Sequence, residues 1–224
     1  MEKYKVDYSE FSHFKGIRIL FNYLEEGLDY AQQNNIKDVC VWTDGDWTKQ
    51  IVDFDFLKDR DFIETFHWIV PLAKKSKVTG LYFLSKLINF RWGGAGDFIF
   101  DLSSFSKLQK LNIGYGAKIK GWETLNSLKW LQIADVKTNE LVFLHEVINL
   151  EYLRIIGGSF CSIAGIENCS KLKTLFLQKC TSLTTLKPTI DRLSSLEQLN
   201  LEGCRKIDVK EELKGVKIKN ISII

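Results

Sequence analysis

The chain predicts an α/β solenoid of about ten short parallel strands, stacked into a concave sheet and joined by irregular or short helical convex arcs. Three observations carry this expectation. An apolar residue followed at +3 and +5 by two more recurs in one register, at Leu108/Leu111/Ile113, Leu128/Leu131/Ile133, Leu150/Leu153/Ile155, Leu172/Leu175/Leu177 and Leu196/Leu199/Leu201. Weaker copies extend it outward to Phe14/Ile17/Ile19, Ile36/Val39/Val41, Ile63/Phe66/Trp68, Leu87/Phe90/Trp92 and Ile218/Ile221/Ile223. Composition is ordinary for a globular chain, 45% apolar and 26% charged over 224 residues, with no Pro/Gly/Ser-rich linker to split it. A single domain over 1–224 follows, with residues 1–13 as an N-terminal cap and 14–224 as repeats.

The spacing has a physical reason. Side chains alternate along a strand, so the +3 and +5 residues point inward and those between them face outward. One turn cannot bury its own apolar face, and stacking supplies the core. Copies begin 20 residues apart at 108 and 128 but 27 apart at 36 and 63, so the connecting arcs vary in length. Ten strands at strand spacing give a sheet on the order of 40 Å long, enough to hold a folded protein.

Taken in chain order, Tyr4, Val6, Tyr8 and Phe11 are expected to form the cap. Phe21 to Asn35 has helical spacing at Tyr23/Leu24/Leu28/Ala31 and a stop signal in Asn34-Asn35. Asp44, Asp46, Asp53, Asp55, Asp59 and Asp61 crowd the second arc against Lys49, Lys58 and Arg60, and read as a solvated convex face. Trp68 and Trp92 hold inward positions, whereas Trp47 and Trp122 fall in arcs and are expected to close the edge of the core. Gly93 to Gly96 reads as a tight turn, since it matches neither GxGxxG nor a phosphate-binding loop. Lys210, Lys214, Lys217 and Lys219 flank the last strand and discourage pairing at its edge, which favours a monomer over an edge-to-edge dimer through that strand.

The stretches LKTLFLQKCTSLTTL and LEQLNLEGCRKI place Cys180 and Cys204 just beyond an LxxLxL strand, with Leu183 and Ile207 three residues behind. This pattern resembles the leucine-rich repeat family, whose strand LxxLxLxx is followed by Asn or Cys. Asn22 fits that position in the first copy and Asp44 is its acidic counterpart in the second. Pro71, Ala95, Gly116, Val136 and Gly158 cannot supply the side-chain hydrogen bonds, so a patchy ladder is expected. The resemblance implies a non-catalytic module that binds a partner protein on its concave face. Short members without a signal segment occur in bacteria as immunity proteins that neutralise a toxin; a regulatory subunit docking on an enzyme and a fragment of a plant resistance receptor are the rival implications.

Other function classes find little support. A formal net charge of +3 is short of the clustered cationic footprint of a nucleic-acid binder. No apolar run reaches a membrane span, and the polar start MEKYKVDYSEFSHF lacks a secretory core, so a cytoplasmic protein is expected. In that reducing compartment the five cysteines stay thiols, and Cys161 with Cys169 lacks the paired CxxC spacing of zinc; no metal or cofactor is expected. His145-Glu146 opens an HExxH motif that Asn149 breaks. An enzyme would have to draw its site from Asp38, Asp44, His67 and Arg91; their gathering in a pocket would favour it, and their spread over an open sheet would favour binding.

The outward positions say more. Trp130, Tyr152, Arg154, Ile156 and Phe176 converge on adjacent strands, and Lys110, Asn112 and Gln132 extend the same face. Trp42, His67 and Arg91 continue it in the earlier repeats. Large aromatics and arginine on a solvent-facing sheet mark an interface, because these residues dominate binding hot spots. Cross-strand packing of Trp130 on Tyr152 is the plainer alternative.

Overall fold

The computed structural model describes residues 2–94 and 98–224, so Ala95 and Gly96 of the expected glycine turn lie outside the described residues. Two compact units make up the chain, Met1–Phe100 and Asp101–Ile224. All ten expected strands are present.

In the first unit β1 (Tyr4–Asp7) runs antiparallel to β2 (Gly16–Leu20), and β3 (Asp38–Trp42), β4 (Thr65–Ile69) and β5 (Asn89–Trp92) follow in parallel. The register aligns one inward column, Ile17, Val39, Phe66 and Phe90, beside a second, Ile19, Val41, Trp68 and Trp92. The aromatic half of these columns matches the long arcs, whose extra cross-section needs bulk. A 3-10 helix over Phe54–Leu57 drives Phe54 into that space, with ring centroids 4.6 Å from Trp68 and 5.6 Å from Trp92. Trp68 is wholly buried, and its indole N–H donates to the Val70 carbonyl at 2.9 Å, meeting its one polar demand. Buried Ser76 ties neighbouring arcs, accepting from Val52 N–H at 3.0 Å and donating to Gln50 O at 3.1 Å.

The helix forms as α1 (Leu24–Gln33), with Leu28 and Ala31 buried and Asn35 in the left-handed conformation at φ 54°. Glu25 and Glu26 in its first turn complement the helix dipole. The acidic arc is solvated as expected, with Lys77 paired to Asp53 and Lys86 to Asp61, both at 2.9 Å.

Several expectations need correction. Tyr4 packs on Tyr30 at 4.9 Å, but Val6, Tyr8 and Phe11 are exposed, so the cap is held by strand pairing rather than by a small apolar core. Trp47 is 68% exposed on its arc, whereas Trp122 is buried. Phe14, which opens the first copy, is half-buried and its ring packs on His67 at 4.9 Å. Asn22 and Asp44 are exposed and do not seat inward as the consensus residue would.

The second unit contains the two-residue strand β8 (Ile119–Lys120) and the parallel run β7 (Lys110–Gly114), β9 (Trp130–Val136), β10 (Tyr152–Gly158), β11 (Thr174–Cys180), β12 (Gln198–Glu202) and β13 (Asn220–Ile223); the two-residue strand β6 (Phe100–Asp101) lies where the units meet in sequence. From β7 to β12 its inward columns are Leu and Ile alone, each at most 2% exposed. Single-turn 3-10 helices and the short α2 (Lys187–Ile190) and α3 (Val209–Glu212) form the arcs. Glu212 links the last two of these, accepting from the N–H groups of Leu186 and Lys187 at 2.7 and 2.8 Å. In β13 the same inward positions, Ile221 and Ile223, are 40% and 53% exposed, because no further described turn covers them.

The strand ends show why the consensus ladder is patchy. Asp135, Gly157, Lys179 and Gly203 all have positive φ, between 54° and 75°, one residue before Val136, Gly158, Cys180 and Cys204. This left-handed step turns the next side chain into the core, where Val136 fills the place by apolar burial and Cys204 by donating to the Leu177 carbonyl at 3.4 Å.

Candidate functional site

The residues singled out from the sequence fall on the outward face of each unit's strands, opposite the buried columns. In the second unit the register sets Lys110, Trp130 and Tyr152 side by side, then Asn112, Gln132, Arg154 and Phe176 in the next row, with Ile156 beyond. Trp130 and Tyr152 stack with ring centroids 5.2 Å apart and planes 6° from parallel. Arg154 lies over the Phe176 ring at 4.6 Å, a cation–π arrangement. Its Nη2 donates to Gln178 Oε1 at 2.9 Å, and the Gln178 amide donates to Glu202 Oε1 at 2.8 Å. Gln178 and Glu202, which strand alternation puts on the same outward face as Ile156, are thus joined to the cluster by this relay. Arg154 Nε is buried with no hydrogen-bond partner, an unmet donor that costs about 1–3 kcal/mol when left so.

This arrangement is preorganised. Ring stacking and the Arg–Gln–Glu relay fix the side chains before anything docks, which lowers the ordering cost of binding. Trp130, Gln132, Tyr152, Arg154, Ile156 and Phe176 are all half-buried, while Lys110 stands exposed beside them.

The first unit repeats the theme with different partners. Arg18 lies over the Trp42 ring at 4.6 Å. His67 sits under Phe14, and burial lowers it to about 4, with the Arg91 charge adding to that and an Asn89 hydrogen bond opposing it. Burial likewise pushes the Cys40 thiol beside it up to about 11. Arg91 is exposed. Phe14 therefore already occupies part of this face, which leaves His67 less accessible than its strand position implies.

The residues weighed as a catalytic set are not gathered. Asp38 starts β3 and Asp44 follows its end, so the strand alone separates them by about 13 Å. Asp44 lines a cleft of about 410 Å³ with Asn22, Thr43, Asp46 and Gln50, and neither His67 nor Arg91 reaches it. Among the described residues, no three His, Cys, Asp or Glu side chains gather to hold a metal, and no helix is long and apolar enough to cross a membrane. Cys161 and Cys169 donate to different carbonyls, those of Asn139 and Val147.

Comparison with known proteins agrees with this architecture. No family profile matches the chain. Over 107 residues it is 31% identical to the disease resistance protein RPP2A of Arabidopsis thaliana, a match that takes in 45% of this chain and only 8% of that much longer protein. Internalin C2 of Listeria monocytogenes superposes with a TM-score of 0.56 at 16% identity, covering 89% of this chain and 84% of that one. The leucine-rich repeat domain of the type III effector XopL overlaps 82% of this chain and 68% of its own length, at 18% identity and a TM-score of 0.48. With the parallel register and the repeat written in the sequence, the internalin superposition gives the chain the leucine-rich repeat fold.

Proposed function

We propose that this chain is a non-catalytic protein-binding module of the cytoplasm that grips its partner on the outward sheet face of residues 101–224. One observation carries the reading: the Trp130–Tyr152 stack and the Arg154–Phe176 pair stand on adjacent strands of a unit whose inward columns are wholly Leu and Ile. Aromatic and arginine side chains placed on the solvent face, and fixed there, are the anchors from which binding hot spots are built. Cross-strand stacking stabilises the sheet as well, and the two roles are compatible because the rings stay half-exposed.

In its narrower form the proposal is an immunity protein that neutralises a cognate toxin by direct binding, a role suited to a short and plain repeat array. The similarity to a disease resistance protein favours a second reading, in which the repeats are a recognition segment of that larger kind of protein. The test is retention of proteins from the native lysate on the immobilised chain, beside a Trp130→Ala/Tyr152→Ala/Arg154→Ala variant with an unchanged circular dichroism spectrum. A protein held by the parent and released by the variant supports the face assignment, and its identity separates toxin from enzyme or receptor ligand. Equal retention moves the interface elsewhere.

A further inference from the structure

The turn beyond the binding face holds two cysteines in an arrangement the proposed function does not use. Cys180 and Cys204 each stand two residues past a paired position, Gln178 opposite Glu202, and the intervening Lys179 and Gly203 both take the left-handed step. The two strand ends therefore run in parallel and keep Cys180 beside Cys204 at about the 4.8 Å strand separation, inside the roughly 4.4–6.8 Å Cα range that a disulfide spans. Both side chains turn into the core as free thiols.

The pair is not equally enclosed. Cys180 is fully buried, but Cys204 keeps 9% exposure and forms part of the wall of a cleft of about 370 Å³ with Gly203, Arg205, Ile207 and Val209. Arg205 lines the same cleft, and although the Glu202 carboxylate opposes thiolate formation at Cys204, the opening gives a small oxidant access to its sulfur. The sulfurs donate to backbone carbonyls, Cys180 to Gln178 and Cys204 to Leu177; the neighbouring thiol holds Cys204 below its ordinary value and Cys180 above it, and the cleft opening on Cys204 makes it the attacking group. The remaining buried cysteines lack this setting: Cys40 and Cys169 are held up, to about 11 and 12, mainly by burial.

We propose that Cys204 is a site of oxidation by hydrogen peroxide and that Cys180 is its resolving partner. The Cys204 thiolate attacks one peroxide oxygen; the O–O bond breaks, an S–O bond forms, and the departing hydroxide leaves as water after taking a proton from solvent. The Cys180 sulfur then attacks the sulfenic acid sulfur. The S–O bond breaks, and the hydroxide leaves with the Cys180 proton as a second water. Two thiols have lost two electrons and the peroxide has gained them. The product joins the ends of β11 and β12 directly beyond the Gln178–Glu202 hydrogen bond.

The test treats the native, full chain with hydrogen peroxide and follows its intact mass and peptide map. A loss of two hydrogen atoms, mapped to a Cys180–Cys204 linkage that forms about tenfold or more faster than any change at Cys40 or Cys169, supports the proposal. In a Cys180→Ser variant, dimedone is expected to label Cys204. Oxidation at half-exposed Cys161 with Cys180 and Cys204 still reduced, or a linkage seen only after unfolding in urea, overturns it. The peptide map of the parent chain decides the matter even where the serine variant fails to fold.

Discussion

Replacing Trp68 with alanine removes the centre of the first unit's aromatic core. The indole is fully buried, meets Phe54 edge-on at 4.6 Å and Phe21 at 5.8 Å, and carries the hydrogen bond to Val70. Truncating a buried aromatic costs about 3–5 kcal/mol through lost burial and the cavity left behind. The edge-to-face pairs and the stranded Val70 carbonyl place this variant near the upper end, about 5 kcal/mol. With a urea slope of about 2 kcal/mol per molar, the unfolding midpoint falls by roughly 2.5 M. Far-ultraviolet circular dichroism in urea reads the shift, and Trp47→Ala is the control, because that ring is 68% exposed and its loss is expected to stay within about 0.5 kcal/mol. A Trp68→Ala cost below about 1 kcal/mol, or a Trp47→Ala cost equal to it, would refute the assignment of the inward column.

Other consequences are as open to measurement. Gly165 sits at φ +112°, and an added Cβ would lie 2.4 Å from the Leu141 carbonyl carbon, so Gly165→Ala is expected to lower the melting temperature markedly while Gly215→Ala, with open space around it, lowers it far less. His67 is held neutral down to about pH 4 in the folded chain, whereas the unfolded chain takes up its proton near 6.5. Stability should therefore be lost as pH falls from about 6.5 to 4, and His67→Gln should flatten that part of the urea midpoint against pH profile. Phe14→Ala uncovers the same imidazole, and its titration by proton NMR should move up toward the ordinary value. Arg154→Lys cannot reproduce both the stacking on Phe176 and the bond to Gln178, so it should weaken partner binding nearly as much as Arg154→Ala does, read by calorimetry.

The strand positions were legible because the +3 and +5 residues obey a constraint that every turn shares, and Leu131/Ile133 or Leu175/Leu177 can sit nowhere but the core. The first repeats were legible in register but not in detail. Phe14 fits the apolar pattern, yet residues ahead of β2 are free of the stacking constraint, and its ring finds His67 on the other face. Trp47 looks like core material by composition alone, but its arc is long enough to carry it away from the sheet. The left-handed steps at Asp135 and Lys179 were hidden because only Gly157 and Gly203, their counterparts in neighbouring turns, announce positive φ by residue type. At the candidate site the outward alternation was enough to collect Trp130, Tyr152, Arg154 and Phe176. The Arg154–Gln178–Glu202 relay depends on side-chain reach across two strand spacings, which no single-strand pattern contains.

Which surface meets the partner is most directly read by placing a photoreactive p-benzoylphenylalanine on one face at a time. Gln132 lies on the outward sheet face between Trp130 and Arg154, and Val142 stands 61% exposed on an arc. With a protein retained from the lysate, irradiation is expected to crosslink the Gln132 variant and leave the Val142 variant free. Crosslinking from Val142 with none from Gln132 would contradict the sheet face as the binding surface.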